Sequence, residues 1–453
     1  MIMSEAIDSF IEKNRDRYLD ELKILCAQPS VSARDEGVRD CSRIVEHLLR
    51  DHGYEVQSIE TPGHPVIVGK AKGKSERTLL CYNHYDVQPP EPLELWDSPP
   101  FEPEIRDGSF YARGAKDDKG EFITRLLAAD AVRETNGGEL PCNITFVVEG
   151  QEEVGSPHIA NFVEENKELL ACHGTIWEEG GIDKDARPVI SLGRRGILGV
   201  ELKARTLSKD AHSGNGSILP SAAWRLIRVL NSLKDTDEKI QIAGFYDAVE
   251  PPSDLDQKLF GEMPDYEQTL RETFGISEFL RGSSGTKLNS DVFEPTCNIQ
   301  GITTGYQGKG LKTVIPAEAT VKIDFRLVPK QSPKDIFDKL RAHLDANGFS
   351  DVETTYLGGM WPDKSPADDP FVELTTRTGE EIYGKKTLLI PMSGGSSPVY
   401  AFANPLGGIP VVTCGLGYWD NRTHSPNEHM RLQDFVNGAR HIARIMNGFG
   451  DIG

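Results

Sequence analysis

The chain is short of positive charge. Its 50 lysines and arginines are outnumbered by 70 aspartates and glutamates, a net charge of −20. Nucleic acid and anionic membrane both call for a basic surface, so neither is expected as a partner. Paired cysteines are also missing. The seven thiols, at positions 26, 41, 81, 142, 172, 297 and 414, never recur at the short spacing of a zinc ribbon or a redox motif. An odd, scattered set reads as reduced and mostly buried, and the expected compartment is the cytoplasm. The N-terminus has no basic start followed by an apolar block, so no signal peptide is expected. No apolar run approaches the roughly 18 residues of a membrane span. Internal repeats and long low-complexity tracts are absent too.

What is present suits a soluble globular protein: 38% hydrophobic and 26% charged residues. The 453 residues are too many for one compact core, so two domains are expected. Helical spacing of apolar residues predicts helices over 4–26 and 41–52. The period then changes. Residues 65–70, 78–83, 143–149 and 175–177 read as short buried strands, with a helix at 121–132 between two of them. That alternation predicts an α/β layer with a mixed, mostly parallel sheet and helices on both faces. From about Gly193 the texture differs. Two strand-plus-helix units, 199–205 with 220–233 and 319–327 with 333–347, suggest a small α+β insert. The α/β pattern returns at 371–383, 409–414 and 431–446. The expected architecture is one discontinuous domain, 1–195 and 360–453, interrupted by a second at 196–359. The polar stretch 235–290 resists assignment.

Five loops carry the chemistry. His84-Tyr85-Asp86 follows a strand, where ligand sites gather in α/β sheets. An imidazole there can bind a metal while a nearby carboxylate fixes its tautomer; alone, this is an ordinary polar loop. Gly114-Ala115-Lys116-Asp117-Asp118-Lys119-Gly120 puts two carboxylates before a helix, where an N-cap aspartate would be the bland explanation. Glu149-Gly150-Gln151-Glu152-Glu153 follows another strand, and two adjacent glutamates can divide labour between metal ligation and general base catalysis. Trp177-Glu178-Glu179-Gly180-Gly181 ends a fourth strand, and Arg422-Thr423-His424-Ser425-Pro426-Asn427-Glu428-His429 precedes the last helix. Each is weak singly. Together they place two histidines and several carboxylates, without a thiolate, along one sheet edge. That donor set suits zinc, manganese or cobalt in a catalytic site.

In series, His84-Tyr85-Asp86-Val87-Gln88-Pro89, Arg113-Gly114-Ala115-Lys116-Asp117-Asp118-Lys119-Gly120, Glu149-Gly150-Gln151-Glu152-Glu153-Val154-Gly155-Ser156 and Thr423-His424-Ser425-Pro426-Asn427-Glu428 resemble the co-catalytic metallopeptidases. That family includes aminoacylase, glutamate carboxypeptidase, succinyl-diaminopimelate desuccinylase and the cytosolic nonspecific dipeptidase (carnosinase) group. The dipeptidase group is the nearest in pattern. The resemblance implies a zinc-exopeptidase-like catalytic domain with a ferredoxin-like lid that also forms a homodimer. It implies two divalent ions, zinc foremost and manganese or cobalt as alternatives. His84 and Glu179 would hold one, Glu153 and His424 the other, and Asp117 would bridge them across a cis peptide to Asp118. Asp86 would orient His84, and Glu152 would be the general acid/base. In Asp210-Ala211-His212-Ser213-Gly214, His212 would reach a partner subunit's site. Thr313, Arg326 and Ser396 match the contacts to a substrate carboxylate. The dipeptidases usually carry aspartate where Glu179 aligns, and Glu178 stays open as the ligand.

The implied reaction is hydrolysis of an amide bond in dipeptides or short peptides with a free carboxylate. N-acyl-amino-acid deacylase and carboxypeptidase are the alternatives on the same site. Readings from outside the class are a non-haem iron oxygenase, since His84-x-Asp86 with a distant His424 imitates a facial triad, and a metal-free scaffold. The long gap from Asp86 to His424, the α/β texture and the surplus of carboxylates argue against the oxygenase, and a complete ligand set with Glu152 argues against the scaffold.

Overall fold

The structure is a computed structural model, of which residues 2–452 are described. The chain divides into two compact units. The first comprises the chain up to Leu192, Lys364–Pro391 and the chain from Ala401; the second comprises Gly193–Asp363 and Met392–Tyr400. The strands of the two principal sheets are, in chain order, β1 (Glu55–Ile59), β2 (Val66–Ala71), β3 (Gly73–His84), β4 (Leu140–Glu149), β5 (Gly174–Trp177), β6 (Gly196–Arg205), β7 (Thr296–Thr304), β8 (Glu318–Leu327), β9 (Glu353–Met360) and β10 (Val411–Thr413). The principal helices are α1 (Ile2–Ala27), α2 (Val38–Asp51), α3 (Lys119–Thr135), α4 (Ala222–Leu233), α5 (Pro333–Ala346), α6 (Pro370–Tyr383) and α7 (Leu432–Phe449).

In the first unit a six-stranded sheet runs β1-β2-β4-β3-β5-β10. The pairings β4–β3, β3–β5 and β5–β10 are parallel, and β1–β2 and β2–β4 are antiparallel. The sheet is therefore mixed and mostly parallel. Side chains alternate along β3: Leu79 and Cys81 join a core formed with α1, α2, α3 and α7, whereas Tyr82 points the other way and stacks on Trp177 with ring centroids 3.7 Å apart. α2 buries Val38, Cys41, Val45, Leu48 and Leu49, the stripe its spacing predicts. α6 starts where Asp369 accepts the Phe371 N–H and Pro370 occupies the first turn. The expected strands 65–70, 78–83, 143–149, 175–177 and 409–414 are present. Edge strand β1 has no alternating pattern to predict it: its two apolar residues, Val56 and Ile59, are three apart and its other three are exposed.

The second unit is a four-stranded antiparallel sheet, β7-β8-β6-β9. Its apolar face (Leu198, Val200, Leu202, Val321, Ile323, Phe325) packs with Leu226 and Val229 of α4 and Ile336 and Leu340 of α5. β7 and β9 lack the alternation that marks a strand: most of their residues are exposed, and their exposed apolar members Ile299, Ile302, Tyr356 and Leu357 do not recur at every second position. The stretch 235–290 holds the short helices Asp254–Glu262, Glu267–Phe274 and Lys287–Ser290, with Phe260 and Phe293 packed on Met392. None of the seven cysteines is in a disulfide. No helix among the described residues is long and apolar enough to cross a membrane.

Candidate metal centre

β3, β4, β5 and β10 are mutually parallel, so their C-terminal ends share one edge, where ligand-binding loops of such sheets gather. His84 ends β3 opposite Glu149 of β4. Its Nε2 lies 3.2 Å from Asp117 Oδ1 and 3.5 Å from Glu178 Oε2. Its Nδ1 lies 3.0 Å from the Asp86 carbonyl and 3.4 Å from Asp86 Oδ1. The other oxygen of Asp117 is 3.0 Å from His424 Nε2, which is also 3.1 Å from Glu153 Oε2. Asp117 thus offers one oxygen to each histidine. The peptide between Asp117 and Asp118 is cis.

Supporting groups hold these loops in register. The Asp86 carboxylate accepts the backbone N–H groups of Glu152 and Glu153 at 3.2 and 3.1 Å, tying their turn to the His84 loop. Asp118 Oδ2 accepts from the Asn83 amide and the His84 N–H, at 2.7 and 3.0 Å. Glu428 is buried and accepts four N–H groups: Gly114 N, Lys116 N, Asp117 N and Arg113 Nη1, at 2.7–3.1 Å. It therefore joins the His424 loop to the Asp117 loop. Arg125, also buried, donates to the Tyr82 and Trp177 carbonyls and joins the ends of β3 and β5. Sequence reasoning gave Glu428 and Arg125 no role. Glu428 carried a faint signal, an acid four residues after His424 in a loop already singled out.

One expectation needs correction. Glu179 is exposed and outside the cluster, whereas Glu178 is buried in it. Glu179 has φ +73° and is followed by Gly180 at +92°, so the chain turns away immediately after Glu178. The charge of Glu179 instead acts on Lys116.

The electrostatics show a site crowded with negative charge. Burial, opposed by His84 but reinforced by Glu153 and Asp117, pushes Glu152 up to about 8. Burial, with Glu152 next, holds Glu178 far above the carboxylate range. Hydrogen bonds to Asp117 and Glu153 raise His424 to about 10. Asp118 Oδ1 and Glu178 Oε2 are buried without a hydrogen-bond partner among the described residues. Carboxylates this close cannot all be ionised without a compensating cation, and buried orphan oxygens beside His84 supply donors for one. Two sets of possible ligands emerge, His84 with Asp117 and Glu153, and His84 with Asp118 and Glu178. In the second set Asp118 already spends one oxygen on two N–H groups. The residues fit divalent metal ions.

The other expected residues lie in the second unit. His212 Nδ1 accepts the Gly214 N–H at 3.0 Å, and its Nε2 is 3.4 Å from Thr313 Oγ1. Arg326 Nη1 donates to Ser396 Oγ at 2.8 Å. The pairings His212–Thr313 and Arg326–Ser396 are thus formed within that unit.

Two histidines, one of them ending β3, and an aspartate with one oxygen toward each define a candidate co-catalytic metal centre. A profile described as peptidase family M20/M25/M40 matches residues 80–448, and the chain belongs to that family. It is 28% identical to the Cys-Gly metallodipeptidase DUG1 of Candida albicans, over 97% of this chain and 96% of that one. It is 25% identical to the Beta-Ala-His dipeptidase of Mus musculus, over 97% and 94%. Among solved structures, an M20 family metallo-carboxypeptidase from Sulfolobus solfataricus is 31% identical, with a TM-score of 0.86 and coverage of 96% and 99%.

Proposed function

We propose that this protein is a two-metal dipeptidase that hydrolyses the amide bond of dipeptides with a free carboxylate. The observation that carries the reading is Asp117, with one oxygen toward His84 and the other toward His424. His84 and Glu178 would hold one ion and Glu153 and His424 the other, with Asp117 between them. Zinc is the first candidate, manganese and cobalt the alternatives. Bound there, the ions supply Lewis acidity and lower the pKa of water toward neutrality. Glu152, beside the ligands and shielded from bulk water, takes the proton of the attacking water and returns it to the leaving amine. Asp86 holds the His84 tautomer and the Glu152 turn together. Arg326 and Ser396 receive the substrate carboxylate, which suits the planar guanidinium fork. The second unit is the ferredoxin-like lid, through which a homodimer forms. His212, positioned by Thr313, stabilises the developing oxyanion in the partner's site. The free thiols and acidic surface suit the cytoplasm.

The names of the relatives point to cysteinylglycine and β-alanyl-histidine as first substrates. The 31% identity to a metallo-carboxypeptidase favours a second reading, release of C-terminal residues from longer peptides. A panel of dipeptides, longer peptides and N-acetyl amino acids separates these activities. The mechanism is tested by Glu152→Gln, expected to bind metal as wild type does and to lose about 10²–10⁴-fold or more in kcat. A fully active variant would overturn the assignment.

A further inference from the structure

Arg195 stands just before β6, beside Arg326 of β8, in the second unit. β6 and β8 pair Gly196 with Leu327 and Ile197 with Arg326. The Arg195 N–H donates to the Gly395 carbonyl at 2.9 Å, one residue from Ser396, the hydroxyl that Arg326 contacts. Arg195 is only 8% exposed. Its Nη2 donates to the Glu294 carbonyl at 2.6 Å, while its Nε–H is buried without a partner among the described residues. Burial, and after it the charge of Arg326, lowers its pKa to about 10.

The charges around this pair do not balance. Asp324 is the buried carboxylate here. One of its oxygens accepts from Asn298 Nδ2 at 3.0 Å, and the other is 3.9 Å from Arg326 Nε. The carboxylate of Glu294 is half exposed and turned to Arg281 at 3.5 Å. The charges that act on buried Arg195 are Arg326, Asp324 and Glu294, of which only Asp324 is a buried carboxylate, and it is shared with Arg326; the Arg195 Nε–H is unsatisfied among the described residues. Buried charge is tolerated where a counter-ion arrives, and a planar carboxylate satisfies both needs at once.

We propose that Arg195 is a specificity-determining residue, standing with Arg326 and Ser396 around the substrate carboxylate and making a free carboxylate a requirement. The inference rests on the dipeptidase reading above. A purely structural Arg195 would pin the Ser396 loop and affect all substrates alike, so the test compares cysteinylglycine with its C-terminal amide. Arg195→Met is expected to raise KM for the free acid by about tenfold or more, leaving the amide's KM and both kcat values near wild type, so that the preference collapses. Arg195→Lys should recover part of it. Should the methionine variant fail to fold, Arg195→Lys decides, through a raised KM confined to the acid. An unchanged preference in the folded Arg195 variants, with loss in Arg326→Met, overturns this proposal alone. An unchanged preference in Arg326→Met as well overturns the carboxylate site itself.

Discussion

Glu178 and Glu179 are neighbours with the same side chain, yet only one faces the cluster. Trp177 is locked by its stack on Tyr82, and the left-handed backbone at Glu179 sends that residue outward. Glu178→Ala should therefore lose about one metal ion per chain after dialysis, whereas Glu179→Ala should keep wild-type content, as elemental analysis will read. Glu428 makes no direct approach to the histidines but holds four N–H groups of the loop that presents Asp117. Glu428→Gln keeps the shape and removes the charge. It should weaken metal binding about 10–100-fold in competition with a chelator, with activity returning at excess metal. Unaltered affinity would reduce Glu428 to a loop brace.

At the scale of elements, two buried histidines bind helices to their neighbours with opposite pH signs. His52 follows α2 and contacts Asp130 of α3 and Glu21 of α1. Burial pulls its pKa down, but those hydrogen bonds prevail and raise it to about 9. A raised folded pKa means the contribution is complete below the unfolded value of about 6.5 and is lost as pH climbs through about 9. His52→Gln should thus cost on the order of 1–3 kcal/mol at pH 6 and little above pH 9, measured as the difference in urea unfolding from wild type. His441 on α7 behaves inversely. Its Nε2 donates to the Thr375 carbonyl of α6 at 2.9 Å, and burial holds its pKa down to about 4. Here stability is present above the unfolded value near 6.5 and is lost as pH falls toward 4, because the unfolded chain takes the proton first.

For the whole molecule, the crowded acids tie stability to metal. Chelation should lower Tm and abolish turnover, and zinc or manganese should restore both; a ligand at about 100 times its Kd adds about 2.7 kcal/mol. If His212 serves a partner's site, Glu152→Gln and His212→Ala, each inactive alone, should recover about a quarter of wild-type activity when mixed and allowed to exchange subunits. No recovery from a confirmed mixed dimer would show that His212 does not work across subunits.

The amino-acid order alone determined much of this protein. The loops bearing His84, Asp117, Glu152, Glu153 and His424 stood out because each motif is local, and those of His84, Glu152 and Glu153 follow strongly apolar strands. The α/β layer and the α+β insert were legible from the change of hydrophobic period. Other features waited for the fold. Edge strands such as β1 and β7 have no apolar alternation to betray them, since most of their residues meet water and their few apolar side chains fall out of a period of two. The choice between Glu178 and Glu179 depended on a single backbone turn. Glu428, Arg125 and Arg195 acquire meaning only through partners dozens to hundreds of residues away, with which tertiary packing buries them. The opening deficit of positive charge is sharpened in the same way: few cations are present, and the fold sets one buried arginine, Arg195, beside the partly exposed Arg326.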